Sequence, residues 1–162
     1  MKKEASKVCP IRPTPNVIVS CRDKAGRNNT LAVGFVSNAS IDPPMIMVGI
    51  VPERFSYPMV KESGVFAVNI PAKDFEKEYF YLGTKSGKDE DKFEALDIKW
   101  ENGEKVDAPL LTGCPVCIEC KVVESVRPGS HELFIGSVEA VHCDEEYLNE
   151  DGSIDWGKIA LI

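Results

Sequence analysis

Four short apolar segments in the first 70 residues constrain the fold more than any other feature of this chain. Turn-forming residues separate them, and most of the segments are apolar on both faces. Strands buried on both sides are typical of barrels and sandwiches, so the pattern predicts a mainly β fold. The segments are NVIVSC (16–21), TLAVGFVS (30–37), PMIMVGIV (44–51) and GVFAVNI (64–70).

The rest of the chain predicts a long hairpin and a few short helices. Residues 114–125 and 131–143 form the hairpin strands, and RPGS (127–130) suits a type II turn between them. A helix over 59–63 would have Pro58 at its first position and end before Gly64. A second would begin near Asp74, and a third would cover 93–96. No internal repeat is present, and the length suits a single domain, residues 1–162.

The run C-x2-C-x2-C at 114–120 suggests either a metal site or a packed strand. Even positions from 114 to 122 are apolar and most odd positions are polar, which indicates a half-buried strand. In a strand, Cys114 and Cys120 would lie about 20 Å apart, and Cys117 would point to the opposite face. Thiolates that share one zinc ion cannot be so far apart. We favour buried structural thiols, and a Cys-ligated metal protein stays open if residues 114–117 form a loop.

Few side chains in the sequence suit direct catalysis. Only two histidines occur, His131 and His142, and neither G-x-S-x-G nor H-E-x-x-H is present. The loop GTKSGK (83–88) is similar to a Walker A motif, but it is one residue short between its glycines. Its hydroxyls and lysines could hold an anion, although the acidic residues 89–91 favour a solvated loop. Similarly, His131 beside a turn suits a surface position, and a hydrogen bond to a phosphate or a flavin stays open.

The charge balance bears on partners and location. Nineteen basic and 26 acidic side chains give a net charge of -7, which argues against a nucleic-acid surface. No apolar run reaches membrane-spanning length, so no membrane contact is expected. The N-terminal sequence MKKEASKVCPIRPTP lacks the apolar stretch of a signal peptide. We therefore expect a cytoplasmic protein with reduced cysteines.

Six segments, taken in order, carry a resemblance to a known family. They cover roughly residues 14 to 145 and resemble the flavin reductase-like family of FMN-binding split barrels, especially its flavoredoxin and archaeal ferric reductase-type branches. Phe35 stands where flavoredoxins often carry Trp, and Ser56 where Thr is common. The segments are N-x-L-A-V-G-F-V-S-N-A-S-x-D-P-P-M-I-M-V-G-I (29–50), R-F-S-Y (54–57), E-S-G-V-F-A-V-N-I (62–70), S-G-K-D-x-D-K-F (86–93), A-P-L-L-x-G-C-P-V-C-I-E-C-K-V (108–122) and H-E-L-F-I-G-S-V-E-A-V (131–141).

The resemblance implies a six-stranded Greek-key split β-barrel with a few flanking α-helices. It also implies a homodimer with one FMN per subunit. The isoalloxazine ring would contact backbone groups of one segment, the phosphate would bind a second, and further residues would approach from both sides. The implied ring contacts are Ser37, Asn38, Ala39 and Ser40, with Asn29, Phe35 and His131 nearby, and the implied phosphate contacts are Arg54, Ser56, Tyr57, Ser86, Gly87 and Lys92.

The implied function is that of an FMN-dependent oxidoreductase. Electrons would pass from NAD(P)H through FMN to free flavin, ferric iron or a protein acceptor. FMN itself would carry the chemistry, so no catalytic side chain and no metal ligand are expected. The alternatives are a non-enzymatic FMN electron carrier that docks with a redox partner and, less favoured, the Cys-ligated metal protein.

Overall fold

A computed structural model describes all residues, 1–162, and shows a mainly β protein. The strands are β1 (Val17–Arg22), β2 (Asn28–Val33), β3 (Val36–Ile41), β4 (Pro44–Ile50), β5 (Val65–Ile70), β6 (Trp100–Asn102), β7 (Pro109–Leu111), β8 (Val116–Val126) and β9 (Glu132–Cys143). The helices are α1 (Ser56–Ser63), α2 (Glu76–Thr84) and α3 (Lys92–Ala95), with 3-10 turns at Lys73–Phe75 and Glu145–Tyr147. None of the helices is both long and apolar enough to cross a membrane.

Seven strands form one antiparallel sheet in the order β2-β1-β5-β8-β9-β4-β3. The two outermost strands, β2 and β3, follow one another in sequence, and only Gly34 and Phe35 connect them. A flat sheet of this size would hold its edges about 30 Å apart. Because two residues cannot cover that distance, the sheet must curl until its outer strands meet, which makes a barrel.

Two hydrophobic clusters lie on opposite faces of this curled sheet. In β1, Val17, Val19 and Cys21 belong to the cluster inside the barrel, whereas Ile18 belongs to the cluster outside it. The outer cluster also includes Leu82 of α2 and residues from the segment that contains β6 and β7. The central strands are therefore buried on both faces, as their apolar composition predicted.

All six predicted strands are present, and the mainly β class is confirmed. The segment 30–37, predicted as one strand, is divided because the chain crosses there from one edge of the sheet to the other. The large sheet consequently has seven strands rather than six. The turn at 127–130 is not type II, because Gly129 lacks the positive φ that this turn requires.

The helices differ from prediction mainly at their starts. Helix α1 begins at Ser56, so Pro58 is its third residue rather than its first. Its predicted end is confirmed, since Gly64 terminates the helix with a φ of 69°. Asp74 lies within a 3-10 turn and does not cap α2 with its side chain.

The cysteine run is divided between the two clusters. Cys120 lies inside the barrel, whereas Cys114 and Cys117 belong to the outer cluster. Cys114 does not share the face of Cys120, as the alternation predicted, because it lies in the turn before β8 and not in the strand. The predicted polar face of β8 is wrong at Cys117 and Glu119, which are both buried. Loop 103–106 covers this face, and its Glu104, Lys105 and Val106 amides donate to the Glu119 carboxylate. No group of three His, Cys, Asp or Glu side chains is arranged to hold a metal ion.

Candidate functional site

A small cavity of about 120 Å³ collects most of the side chains predicted to bind phosphate. Strand β2, the turn before α1 and the loop after α2 form its walls. These segments are far apart in the sequence, so only the fold brings them together. The predicted residues that line the cavity are Asn29, Arg54, Ser56, Ser86, Gly87 and Lys92.

Two buried polar side chains connect the walls of this cavity. The amide nitrogen Nδ2 of Asn29 donates to Oγ of Ser56 at 2.6 Å. The neighbouring Thr30 also lines the cavity, and its buried hydroxyl has no hydrogen-bond partner in the protein. An unsatisfied buried hydroxyl costs about 1–3 kcal/mol.

Lys92 supplies a buried positive charge to the cavity wall. Its Nζ donates to the carbonyl oxygens of Thr30, Leu82 (3.1 Å) and Lys85 (3.2 Å), which occupies all three ammonium protons. Burial lowers the pKa of Lys92 from 10.5 to about 8, and the charge of Arg54 acts in the same direction. Lys92 therefore fastens the loop after α2 to β2, and its charge rather than a free donor faces the cavity.

Gly87 is where the loop after α2 approaches the other walls most closely. A Cβ at this position would lie 2.7 Å from the ring of Phe55 and 2.8 Å from Cγ of Asn29. Such distances are shorter than van der Waals contact, so a larger residue would displace the loop. The absence of a side chain at Gly87 thus lets the backbone of the loop close one side of the cavity.

The cavity is locally cationic, although the chain as a whole carries a net charge of -7. Arg54, Lys85 and Lys92 line it, against the single acidic side chain of Glu53. Helix α1 begins here at Ser56 with neither a side-chain cap nor an acidic residue in its first turn. The Tyr57 N–H already donates to the Arg54 carbonyl oxygen at 3.0 Å, and Pro58 has no N–H, so the side chains around the cavity rather than the helix N–H groups can bind an anion. A phosphomonoester, with close to two negative charges, suits this set of donors.

Sequence reasoning missed two contributors to the cavity. Thr30 follows Asn29 directly, and its place beside a predicted site residue was the available signal. Arg27 donates through Nη2 to the carbonyl oxygen of Gly87, and its guanidinium lies 4.8 Å above the ring of Phe55. No local pattern points to Arg27, because both partners reach it only through the tertiary fold.

A second group of predicted residues gathers beyond the end of β2. The rings of Phe35 and His131 pack together with their centroids 4.3 Å apart. Gly49 of β4 makes room for them, since a Cβ there would lie 3.0 Å from that of Phe35. Phe35 is 44% exposed, and with Ser37 it lines an apolar groove of about 400 Å³ that residues 9–15 close on the opposite side.

The predicted ring-binding segment Ser37–Ser40 runs along the outer strand β3. Ser37, Asn38 and Ala39 are exposed, and Ser40 is half-buried. The β3–β4 register shifts between Asn38 and Ser40, so Ala39 opposes no residue of β4. This β-bulge leaves backbone groups on an outer strand open to a ligand.

The structure does not bring Tyr57 to the cavity. Its hydroxyl donates to Oε2 of Glu132, and Lys61 donates to the Tyr57 hydroxyl at 3.0 Å. Glu132 also accepts a hydrogen bond from Ser125 at 2.7 Å. The carboxylate of Glu132, rather than an external anion, therefore occupies the Tyr57 hydroxyl.

Residues 11–157 match the model of the flavin reductase like domain. The chain belongs to the flavin reductase-like family. Among solved structures, flavoredoxin of Desulfovibrio vulgaris (Miyazaki F) is 33% identical, with a TM-score of 0.91 over 98% of this chain and 85% of that chain. Flavoredoxin from Methanosarcina acetivorans is 30% identical, with a TM-score of 0.92 over 99% of this chain and 84% of that chain. NADH:riboflavin 5'-phosphate oxidoreductase of Streptomyces pristinaespiralis is 28% identical over 76% of this chain and 68% of its own length.

These similarities confirm the predicted family and the predicted split-barrel fold, and they assign the flavin reductase-like chain to flavin-linked oxidation–reduction. The side chains of the two regions fit such a cofactor. The cationic cavity suits a phosphate, and the aromatic pair of the exposed Phe35 and the half-buried His131 suits a planar ring. Residues 29 to 35 separate the two regions by about 20 Å of extended chain.

Proposed function

We propose that residues 1–162 act as one FMN-binding domain of an oxidoreductase. It would pass electrons from NAD(P)H through FMN to free flavin, ferric iron or a protein acceptor. The observation that carries this proposal is the cationic cavity between β2, α1 and the loop after α2. Three distant segments of an acidic chain place hydroxyls and positive charges around a space of phosphate size there.

The phosphate end of FMN would lie in this cavity. Arg54 and Ser56 offer a guanidinium and a hydroxyl, and Ser86 offers a second hydroxyl from the opposite wall. Lys92 contributes charge and holds the loop, while Asn29 orients Ser56 through their hydrogen bond. Tyr57, which was predicted to contact the phosphate, is not among the proposed contacts, because its hydroxyl is bonded to Glu132.

The isoalloxazine end would lie at the bulged segment Ser37–Ser40. Exposed backbone groups at the bulge can hydrogen-bond to the polar edge of the ring. The half-buried His131 and the partly exposed Phe35 pack against one another and offer an aromatic surface beside that segment. FMN over FAD is favoured because the cavity encloses about 120 Å³, which suits one phosphate group.

Bound FMN supplies hydride acceptance and single-electron transfer, the chemistry that the side chains lack. The chain binds the phosphate, orients the ring and limits the access of water to one face. No acid, base or nucleophile among the site residues is required. Phe35, just before β3, and Ile41, at its end, are exposed apolar side chains at 44% and 93%, which supports a homodimer in which a second subunit covers this outer strand. A cytoplasmic location stays a prediction.

The test is equilibrium binding of FMN, FAD and riboflavin to the purified protein, followed by visible spectroscopy after desalting. We expect a two-banded flavin spectrum retained with FMN and a preference for FMN over riboflavin. Steady-state oxidation of NADH and NADPH then separates an enzyme from the alternative, an FMN carrier that is reduced only by a protein partner. Failure to bind any flavin would overturn the proposal.

A further inference from the structure

Arg27 joins two walls of the phosphate cavity to the neighbouring β1–β2 turn without lining the cavity. It lies in the turn between β1 and β2, and its Nη2 donates to the carbonyl oxygen of Gly87. Its guanidinium also covers the ring of Phe55 at 4.8 Å. One side chain therefore links the β1–β2 turn, the turn before α1 and the loop after α2.

The loop that Arg27 holds has little other means of staying in place at Gly87. Gly87 packs against Asn29 and Phe55 with no room for a Cβ, so its position depends on close contact with these neighbours. Lys92 fastens the earlier part of the loop through the carbonyl of Lys85. Ser86, Lys88 and Asp89 are linked only within the loop, by Lys88 N to Ser86 Oγ at 3.2 Å and Asp89 N to Ser86 O at 3.1 Å.

We propose that Arg27 is a positioning residue that clamps the loop 85–88 over the phosphate cavity and thereby makes the site selective for phosphorylated flavin. This inference rests on the proposed function, since it assumes that the cavity receives the phosphate of FMN. The clamp acts through the carbonyl of Gly87 and the ring of Phe55, not through contact with the ligand. Loss of the clamp should therefore weaken the binding of FMN and leave the binding of riboflavin, which lacks the phosphate, unchanged.

The geometry requires the flat, forked guanidinium rather than a positive charge alone. Arg27 places its guanidinium over the ring of Phe55 while its Nη2 donates to the carbonyl oxygen of Gly87. A lysine ammonium is a point charge that cannot occupy both positions in this way. The conservative variant Arg27→Lys thus distinguishes a clamp from long-range attraction of the phosphate.

The experiment compares Arg27→Gln and Arg27→Lys with the wild-type protein in binding of FMN and riboflavin. We expect the FMN dissociation constant to rise about tenfold in Arg27→Gln, as for loss of one charge-assisted hydrogen bond, and riboflavin binding to stay within about twofold. Arg27→Lys should recover only a minor part of the loss. The control is Arg127→Gln, which removes an exposed arginine that likewise donates to a glycine carbonyl, that of Gly129, on the distant hairpin turn.

A second measurement needs no flavin. Lysine-specific proteolysis of the ligand-free protein should cut at Lys85 and Lys88 several-fold faster in Arg27→Gln than in the wild type or Arg127→Gln, because the loop opens more often. Unchanged cleavage together with full rescue by Arg27→Lys would overturn the clamp, since charge alone would then explain the effect. Equal weakening of FMN and riboflavin would also overturn it. A wild-type protein that binds FMN no better than riboflavin would instead overturn the proposed function, whatever the proteolysis shows.

Discussion

Tyr57 and Glu132 form a hydrogen bond that joins helix α1 to strand β9, with the phenol as donor and the buried carboxylate as acceptor. Tyr57, Ser125 and Lys61 together hold the pKa of Glu132 down, at about 2. This relationship separates Tyr57 from its sequence neighbours Arg54 and Ser56, which line the cavity. The two ends of one short segment therefore differ: residues 54–56 line the cavity proposed to bind the phosphate, whereas Tyr57 attaches the helix to β9.

Tyr57→Phe tests that separation. Removing the hydroxyl takes a donor from a charged, buried acceptor, so we expect the free energy of unfolding in urea to fall by about 1.5–3 kcal/mol. The FMN dissociation constant should stay within about twofold of the wild-type value. A large loss of FMN affinity with unchanged stability would show that the hydroxyl serves the phosphate after all.

Gly87→Ala tests the close approach of the loop to the other walls. The added methyl group would meet the ring of Phe55 and the side chain of Asn29, so the loop must move away. We expect the FMN dissociation constant to rise about tenfold or more, with little change in riboflavin binding, by fluorescence titration. Gly129→Ala is a matched control, because no atom lies within 4 Å of a Cβ at that position. Equal effects of the two substitutions would contradict this account.

Phe35→Ala tests the opposite end of the site. Loss of the aromatic surface that packs on His131 should weaken FMN and riboflavin by the same factor, since both carry the same ring. We expect both dissociation constants to rise about five- to tenfold, which corresponds to the usual free energy of an aromatic contact. Val123→Ala is a suitable control, because it removes an exposed apolar side chain on β8. Selective loss of FMN binding in Phe35→Ala would place the phosphate, not the ring, near this residue.

The lowered pKa of Lys92 should make both the free energy of unfolding and the affinity for FMN depend on pH. Its folded-state pKa of about 8 lies below the ordinary 10.5, so the folded protein binds this proton more weakly than the unfolded chain. The free energy of unfolding should therefore rise as the pH increases from about 8 towards 10.5, and this rise should be absent from Lys92→Met. FMN affinity should fall over the same range, because the cavity loses a positive charge.

Urea unfolding at stepped pH for both proteins, with FMN titrations in parallel, measures the two opposite trends. The difference between wild type and Lys92→Met cancels the titration of other lysines and tyrosines. Parallel stability curves for the two proteins would show that Lys92 does not cause the pH dependence.

The sequence predicted the strands well because their signal is local. Runs of Val and Ile between turn-forming residues have few other structures available, and the six predicted strands are all present. The division at Gly34 and Phe35 was not predicted, since it depends on where the sheet closes rather than on the composition of the segment. Cys117 and Glu119 were misassigned to a solvent face for a similar reason, because loop 103–106 covers that face and comes from elsewhere in the chain.

The candidate site shows the same limit. The resemblance supplied Asn29, Arg54, Ser56 and Gly87, and the fold brings them to one cavity. It could not supply Arg27, whose partners are a backbone carbonyl and a ring that only the folded chain places beside it. Backbone carbonyls exist at every residue, so a side chain that binds one leaves no pattern in a single sequence.

The connection Gly34–Phe35 has a consequence for how the protein responds to its cofactor. The two residues that join the outer strands also present the aromatic ring at the proposed flavin site, so the seam of the barrel and the ring-binding surface are one element. A ligand of Phe35 that binds the closed seam better than an opened one stabilises the closed seam by that difference in binding free energy. Binding of the proposed FMN would then stabilise the junction of the two outer strands, and the barrel would resist opening there most strongly when the flavin is bound.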